Sequence, residues 1–136
     1  MQYMLLIYGN EAHMPAAKPG DPQMSPAYMA YTQALHDAKV WRAGDRLQPT
    51  ANATTVRMVE GKTEVLNGPY AETKEQLGGY YLIDVPDLDA ALAWAARCPG
   101  ASFGRVEVRP LWLMQLHSAT PPASLPRRWH AAATAS

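Results

Sequence analysis

The stretch from Asn67 to Val85, NGPYAETKEQLGGYYLIDV, constrains this chain more than any other. It joins a Gly-Pro turn at Asn67-Gly68-Pro69 to a charged segment, Ala71–Gln76, and then to a Gly-Gly pair that launches a strand at Tyr80–Val85. Pro69 has a fixed φ and no N–H to donate. Gly68, Gly78 and Gly79 have no Cβ, so they reach positive φ or let another backbone come close. A charged loop bounded in this way has a held shape, and it feeds directly into a strand that needs neighbours.

The neighbours can be read along the chain. Gln2–Tyr8 is apolar on both alternating sets, the pattern of a strand central in its sheet. Glu11–Met24 carries Pro15, Pro19, Gly20 and Pro22 and reads as a loop. Ser25-Pro26 starts a helix, with Ser25 as N-cap, and Tyr28, Tyr31, Leu35 and Ala38 recur at helical spacing. That spacing predicts a helix from Pro26 to Trp41, closed near Gly44. Two strands, Ala53–Val59 and Lys62–Leu66, flank a hairpin signal at Glu60-Gly61. Asp87 caps a second helix whose inner face is Leu88, Ala91, Leu92 and Ala95, ended by Pro99-Gly100. A last strand covers Gly104–Arg109, extended by Leu111–Met114. Residues 115–136 turn rich in Pro, Ala, Ser and Thr and read as a loosely attached tail beside a domain at 1–114.

The order β-α-β-β-β-α-β, with the short hairpin collapsed, is the split β-α-β arrangement of ferredoxin-like α+β folds. Two helices cover one sheet face. The other face, with the Tyr3 or the Met4 set, Leu82 and Tyr80, is too apolar to be left wet, and a second copy of the chain is the simplest cover. The expectation is a homodimer with sheets face to face. Formal net charge is zero, which argues against a nucleic-acid partner. The apolar run Tyr3–Tyr8 is too short for a signal peptide or a membrane span, so a cytoplasmic protein is expected. The single cysteine, Cys98, allows no internal disulfide.

MQYMLLIYG at the start, NGPYAETKEQLGGYYLIDVPDLDAALAWAARCP and VEVRPLW together resemble the YCII-related (DGPF-domain) family over residues 1–113. The resemblance implies a dimeric α/β barrel of ferredoxin-like subunits. It also implies a protein without an established activity, in a family whose wider relatives include lyases or isomerases of small cyclic or chlorinated compounds. Its genes often stand beside extracytoplasmic-function sigma factors, which implies a regulatory setting. Two departures matter. The family's Asp-Gly-Pro-Phe is Asn67-Gly68-Pro69-Tyr70 here; Asn makes the same turn-capping hydrogen bonds but cannot serve as a base. The His and Asp that enzyme-like relatives pair are absent: Tyr28 and Tyr31 stand in the first region and Arg97-Cys98-Pro99 in the second, and His36 falls two turns too late.

Several residues are candidates for chemistry. Glu72, Lys74 and Glu75 read either as an acid–base pair tuned by a cation or as a solvated loop with weak ion pairs. If Tyr81, Ile83 and Val85 face the helices, then Tyr80, Leu82 and Asp84 face the other way, with Glu107 and Arg109 beside them. That lining suits a small-molecule cleft; equally, Asp84 and Arg109 could be a cross-strand ion pair that sets register. Proton carriers would be Glu72, Glu75 or Asp84. Ligand contacts would be Asn67, Tyr70, Lys74, Tyr80 and Arg109. His36-Asp37 are adjacent and diverge on a helix. His13, His117, His130 and Cys98 lack metal-ligand spacing. Gly78-Gly79 precedes a strand without a following Lys-Ser/Thr, so it is no phosphate loop, and no cofactor is expected. Arg127-Arg128-Trp129 reads as part of the solvated tail. Three classes follow: a small-molecule binding or accessory module, a cofactor-free lyase or isomerase, and a structural or interaction dimer.

Overall fold

A computed structural model describes residues 1–13 and 25–113. The expected tail and most of the Pro-rich loop lie outside the described residues. The elements are β1 (Gln2–Gly9), α1 (Pro26–Asp37), β2 (Trp41–Arg46), β3 (Thr54–Val59), β4 (Lys62–Asn67), β5 (Gln76–Asp84), α2 (Leu88–Arg97), α3 (Gly100–Phe103) and β6 (Arg105–Pro110). Four strands form one antiparallel sheet in the order β2-β5-β1-β6. With β3 and β4 set aside, this is the ferredoxin-like order, and β1 is central as its double apolar pattern predicts.

The caps fall where the sequence puts them. Ser25 Oγ accepts from the Tyr28 N–H at 3.3 Å, and Asp87 Oδ1 accepts from the Ala90 N–H at 2.9 Å. The far end of α1 does not. The helix stops at Asp37, because Lys39 adopts φ +60° and the Val40 N–H reaches back to the Leu35 carbonyl at 3.1 Å. Lysine occupies the left-handed position where a glycine usually signals the stop, so the apolar spacing runs on in the sequence past the true end. Trp41 opens β2 instead, and Gly44 lies inside that strand under the rings of Trp41 and Tyr81. The fourth sheet strand is therefore Trp41–Arg46, while Thr54–Asn67 is a separate two-stranded hairpin. Its turn is the expected one, with Glu60 and Gly61 both at positive φ.

β5 begins at Gln76 rather than Tyr80, so the Gly-Gly pair is inside the strand and not ahead of it. Register against β1 shifts between Ile7 and Tyr8, where Gly78 is the extra residue. At Gly79 the β2 backbone comes close: a Cβ would stand 2.8 Å from the Asp45 carbonyl oxygen.

The core lies on one side of the sheet. Tyr3, Leu5, Tyr81, Ile83 and Val85 point into it, meeting Tyr31 and Leu35 of α1, Ala91 and Ala95 of α2, and Cys98. Leu5, Leu35 and Ile83 are fully enclosed, and each such side chain contributes about 1.5–3 kcal/mol. The inner face of α2 is narrower than its sequence suggests. Alanines let the helix lie close to the sheet, while Leu88 and Leu92 are 48% and 47% exposed. Tyr31 ties the two helices by donating to the Trp94 carbonyl at 2.7 Å.

Candidate functional site

Strand alternation sends the remaining side chains to the opposite face. Opposed pairs in the register are Gln2 with Asp84, Met4 with Leu82 and Leu6 with Tyr80 toward β5, and Met4 with Arg109, Leu6 with Glu107 and Tyr8 with Arg105 toward β6. Tyr80, Leu82, Asp84, Glu107 and Arg109 thus share the face away from the helices, as the alternation predicts. Met4, Leu6 and Leu82 are half-buried and form an apolar strip between two polar ends.

At one end, Asp84 bonds to the α-ammonium of Met1 at 2.9 Å and to Arg42 Nη2 at 3.2 Å. Those partners, the ammonium first, hold its carboxyl below the ordinary aspartate value. Asp84 does not pair with Arg109, because β1 lies between their strands. Along the β2 edge, Tyr80 donates to Asp45 Oδ2 at 2.8 Å.

The other end is a cleft of about 430 Å³ lined by Tyr8, Glu75, Arg105, Val106 and Glu107. Glu75 Oε1 stands 3.1 Å from Arg105 Nε. Arg109 donates through Nε and Nη2 to Glu107 Oε2, and Tyr8 donates to Glu107 Oε1 at 3.3 Å. The Arg109 fork, more than any other neighbour, keeps the Glu107 carboxyl below the ordinary glutamate value. Glu75 is set in place by its neighbours in the loop. Thr73 Oγ1 donates to the Glu75 carbonyl, and Gln76 Nε2 donates to the Thr73 carbonyl while its Oε1 accepts from the Glu11 N–H at 2.9 Å. The charged loop does have a held shape, at its C-terminal half.

The other candidates scatter. Glu72 and Lys74 are exposed on the loop, away from the cleft lining. Asn67 pairs with Thr54 at the base of the hairpin. Gly68, at φ +139°, closes that base by donating to the Ala53 carbonyl at 2.8 Å. Tyr70, 86% exposed, borders a separate hollow of about 650 Å³, larger and less open than the cleft, with Thr55, Arg57, Glu64, Val65 and Leu66. Of the sequence candidates, Glu75 lines the cleft beside Glu107, and Arg109 is the ion-pair partner of Glu107 outside that lining. Tyr8 and Arg105 belong to the cleft and were no part of the sequence candidates. Their alternation with Leu6 and Glu107 is the signal that places them on this face. Among the described residues no group of three or more His, Cys, Asp or Glu side chains could hold a metal ion. Cys98 is buried at the end of α2, and burial raises its thiol pKa, as expected of a packing residue.

Comparison with known proteins gives two findings. The model of the YCII-related domain matches residues 1–115. An uncharacterised protein of Rhizobium meliloti (strain 1021) is 41% identical over 116 residues, which covers 83% of this chain and 94% of the relative.

Proposed function

From the premise that the chain belongs to the YCII-related family, we propose that it is a small-molecule binding or accessory protein. Its ligand sits in the Tyr8–Glu75–Arg105–Glu107 cleft, and a second copy closes the open sheet face beside it. The observation that carries this reading is the cleft itself: charged groups and an aromatic ring converge on about 430 Å³ at the end of an apolar strip. The family's regulatory setting, near sigma factors, would make ligand occupancy the signal.

A lyase or isomerase reading needs a carboxylate lifted toward neutrality to carry a proton. Glu107 and Asp84 are held down instead, which suits acceptors that stay ionised. A purely structural dimer would favour a face without charges at its ends, and this face carries Asp84–Arg42 and Glu107–Arg109.

Ligand-observed NMR against a panel of small polar and cyclic compounds tests the binding reading. Hits are expected with the native protein and lost with Arg105→Ala, whose circular dichroism stays native because Arg105 is exposed. An empty screen, or hits indifferent to Arg105→Ala, would remove the cleft from consideration.

A further inference from the structure

The charges in the cleft are paired but not fully engaged. Arg105 meets Glu75 through Nε alone. Its terminal Nη1–Nη2 edge has no partner among the described residues, and that edge is the one a carboxylate takes with two parallel hydrogen bonds. Glu75 uses Oε1 toward Arg105; its Oε2 lies over Gly104, where a Cβ would come within 3.0 Å. Glu107, by contrast, spends one oxygen on Arg109 and the other on Tyr8. One anionic oxygen and one cationic edge are thus left open in the same small space, with the Tyr8 ring as apolar wall.

An anion entering here would meet Arg105 but also Glu75 and Glu107. A cation would meet Glu75 but also Arg105, while Glu107 is already paired with Arg109. Only a molecule carrying both signs at short separation finds an opposite charge for each end. Resting on the reading of the cleft as a ligand site, we propose that its ligand is a small zwitterion of the amino-acid class. Its carboxylate lies on the Arg105 edge, its ammonium on Glu75 Oε2, and its side chain against the Tyr8 ring.

Calorimetric titration with three probes of one shape tests this: L-phenylalanine, 3-phenylpropionate, which keeps only the anion, and phenethylamine, which keeps only the cation. Phenylalanine should bind about tenfold or more tightly than either analogue, the loss expected for one charge-assisted contact. Glu75→Gln should weaken phenylalanine and strengthen 3-phenylpropionate, because the repelling carboxylate is gone while the Arg105 edge remains. Equal binding of phenylalanine and 3-phenylpropionate to the native protein, or binding of neither, would overturn the zwitterion. Equal binding that Arg105→Ala abolishes would overturn it while leaving the cleft reading intact. Glu75→Gln weakening both probes alike would overturn the role given to Glu75.

Discussion

Gly104 lies so close to β1 that a methyl group has no room: a Cβ would stand 2.0 Å from the Tyr8 carbonyl oxygen and 3.0 Å from Glu75 Oε2. The first contact is backbone, so it can be relieved only by moving β6 away from β1. Gly104→Ala should therefore lower stability by about 1–3 kcal/mol, the usual cost of overpacking, measured as a fall in the urea midpoint at unchanged slope. An unchanged midpoint would show that the strands separate freely here. Glu107 makes a second prediction at this scale. Its folded-state pKa is depressed by Arg109, so its contribution is present above the unfolded value near 4.3 and is lost as pH falls through the folded value. Asp84, depressed by the Met1 ammonium and Arg42, acts with the same sign. The urea midpoint of the native protein should fall between about pH 5 and pH 3, and Glu107→Gln should flatten part of that fall. Parallel pH profiles for the two proteins would contradict the assignment.

At the scale of elements, what was legible in the sequence had a local cause. Ser25 and Asp87 announce helix starts because capping is a contact within three residues. Glu60-Gly61 announces a hairpin because its turn demands positive φ at both positions. The strand Trp41–Arg46 was illegible for the opposite reason. Trp41 continues the helical spacing of α1, and the break depends on Lys39 adopting a conformation that lysine rarely signals. Gly44 and Gly79 read as punctuation but are strand residues whose missing Cβ serves a partner distant in sequence. The cleft was half legible. The face of Glu107 and Arg109 follows from alternation, but the meeting of Glu75 with Arg105 and Tyr8 depends on the order of strands in the sheet. The hairpin β3–β4 gives this scale its prediction. It forms a sheet of its own, and the Ala53–Gly68 hydrogen bond of 2.8 Å brings its two ends together. Joining Ala53 directly to Gly68 should leave a cooperative unfolding transition, with Tm within about 5 °C of the full chain, the size of a 1 kcal/mol change. Loss of cooperativity would mean that the hairpin completes the core.

For the whole molecule the sidedness of the sheet decides most. Among the described residues, all the fully enclosed ones lie on the helix side, and the other side presents Met4, Leu6 and Leu82 between its charged ends. A two-fold axis through such a face sets the same strip against itself, so residue and counterpart meet near the centre. A carboxylate introduced there would face its own copy across an apolar gap, and both would lose hydration without gaining a partner. Leu82→Glu should therefore separate the copies while leaving the helix-side core alone, because Leu82 points away from it. Light scattering coupled to size exclusion at micromolar concentration should give twice the chain mass for the native protein and the single chain mass for Leu82→Glu, with circular dichroism unchanged. Native protein at the single chain mass would leave the strip without its proposed cover and the cleft open to solvent on that side. The zwitterion would then rest on Arg105 and Glu75 alone, which the phenylalanine titration reads independently of the number of copies.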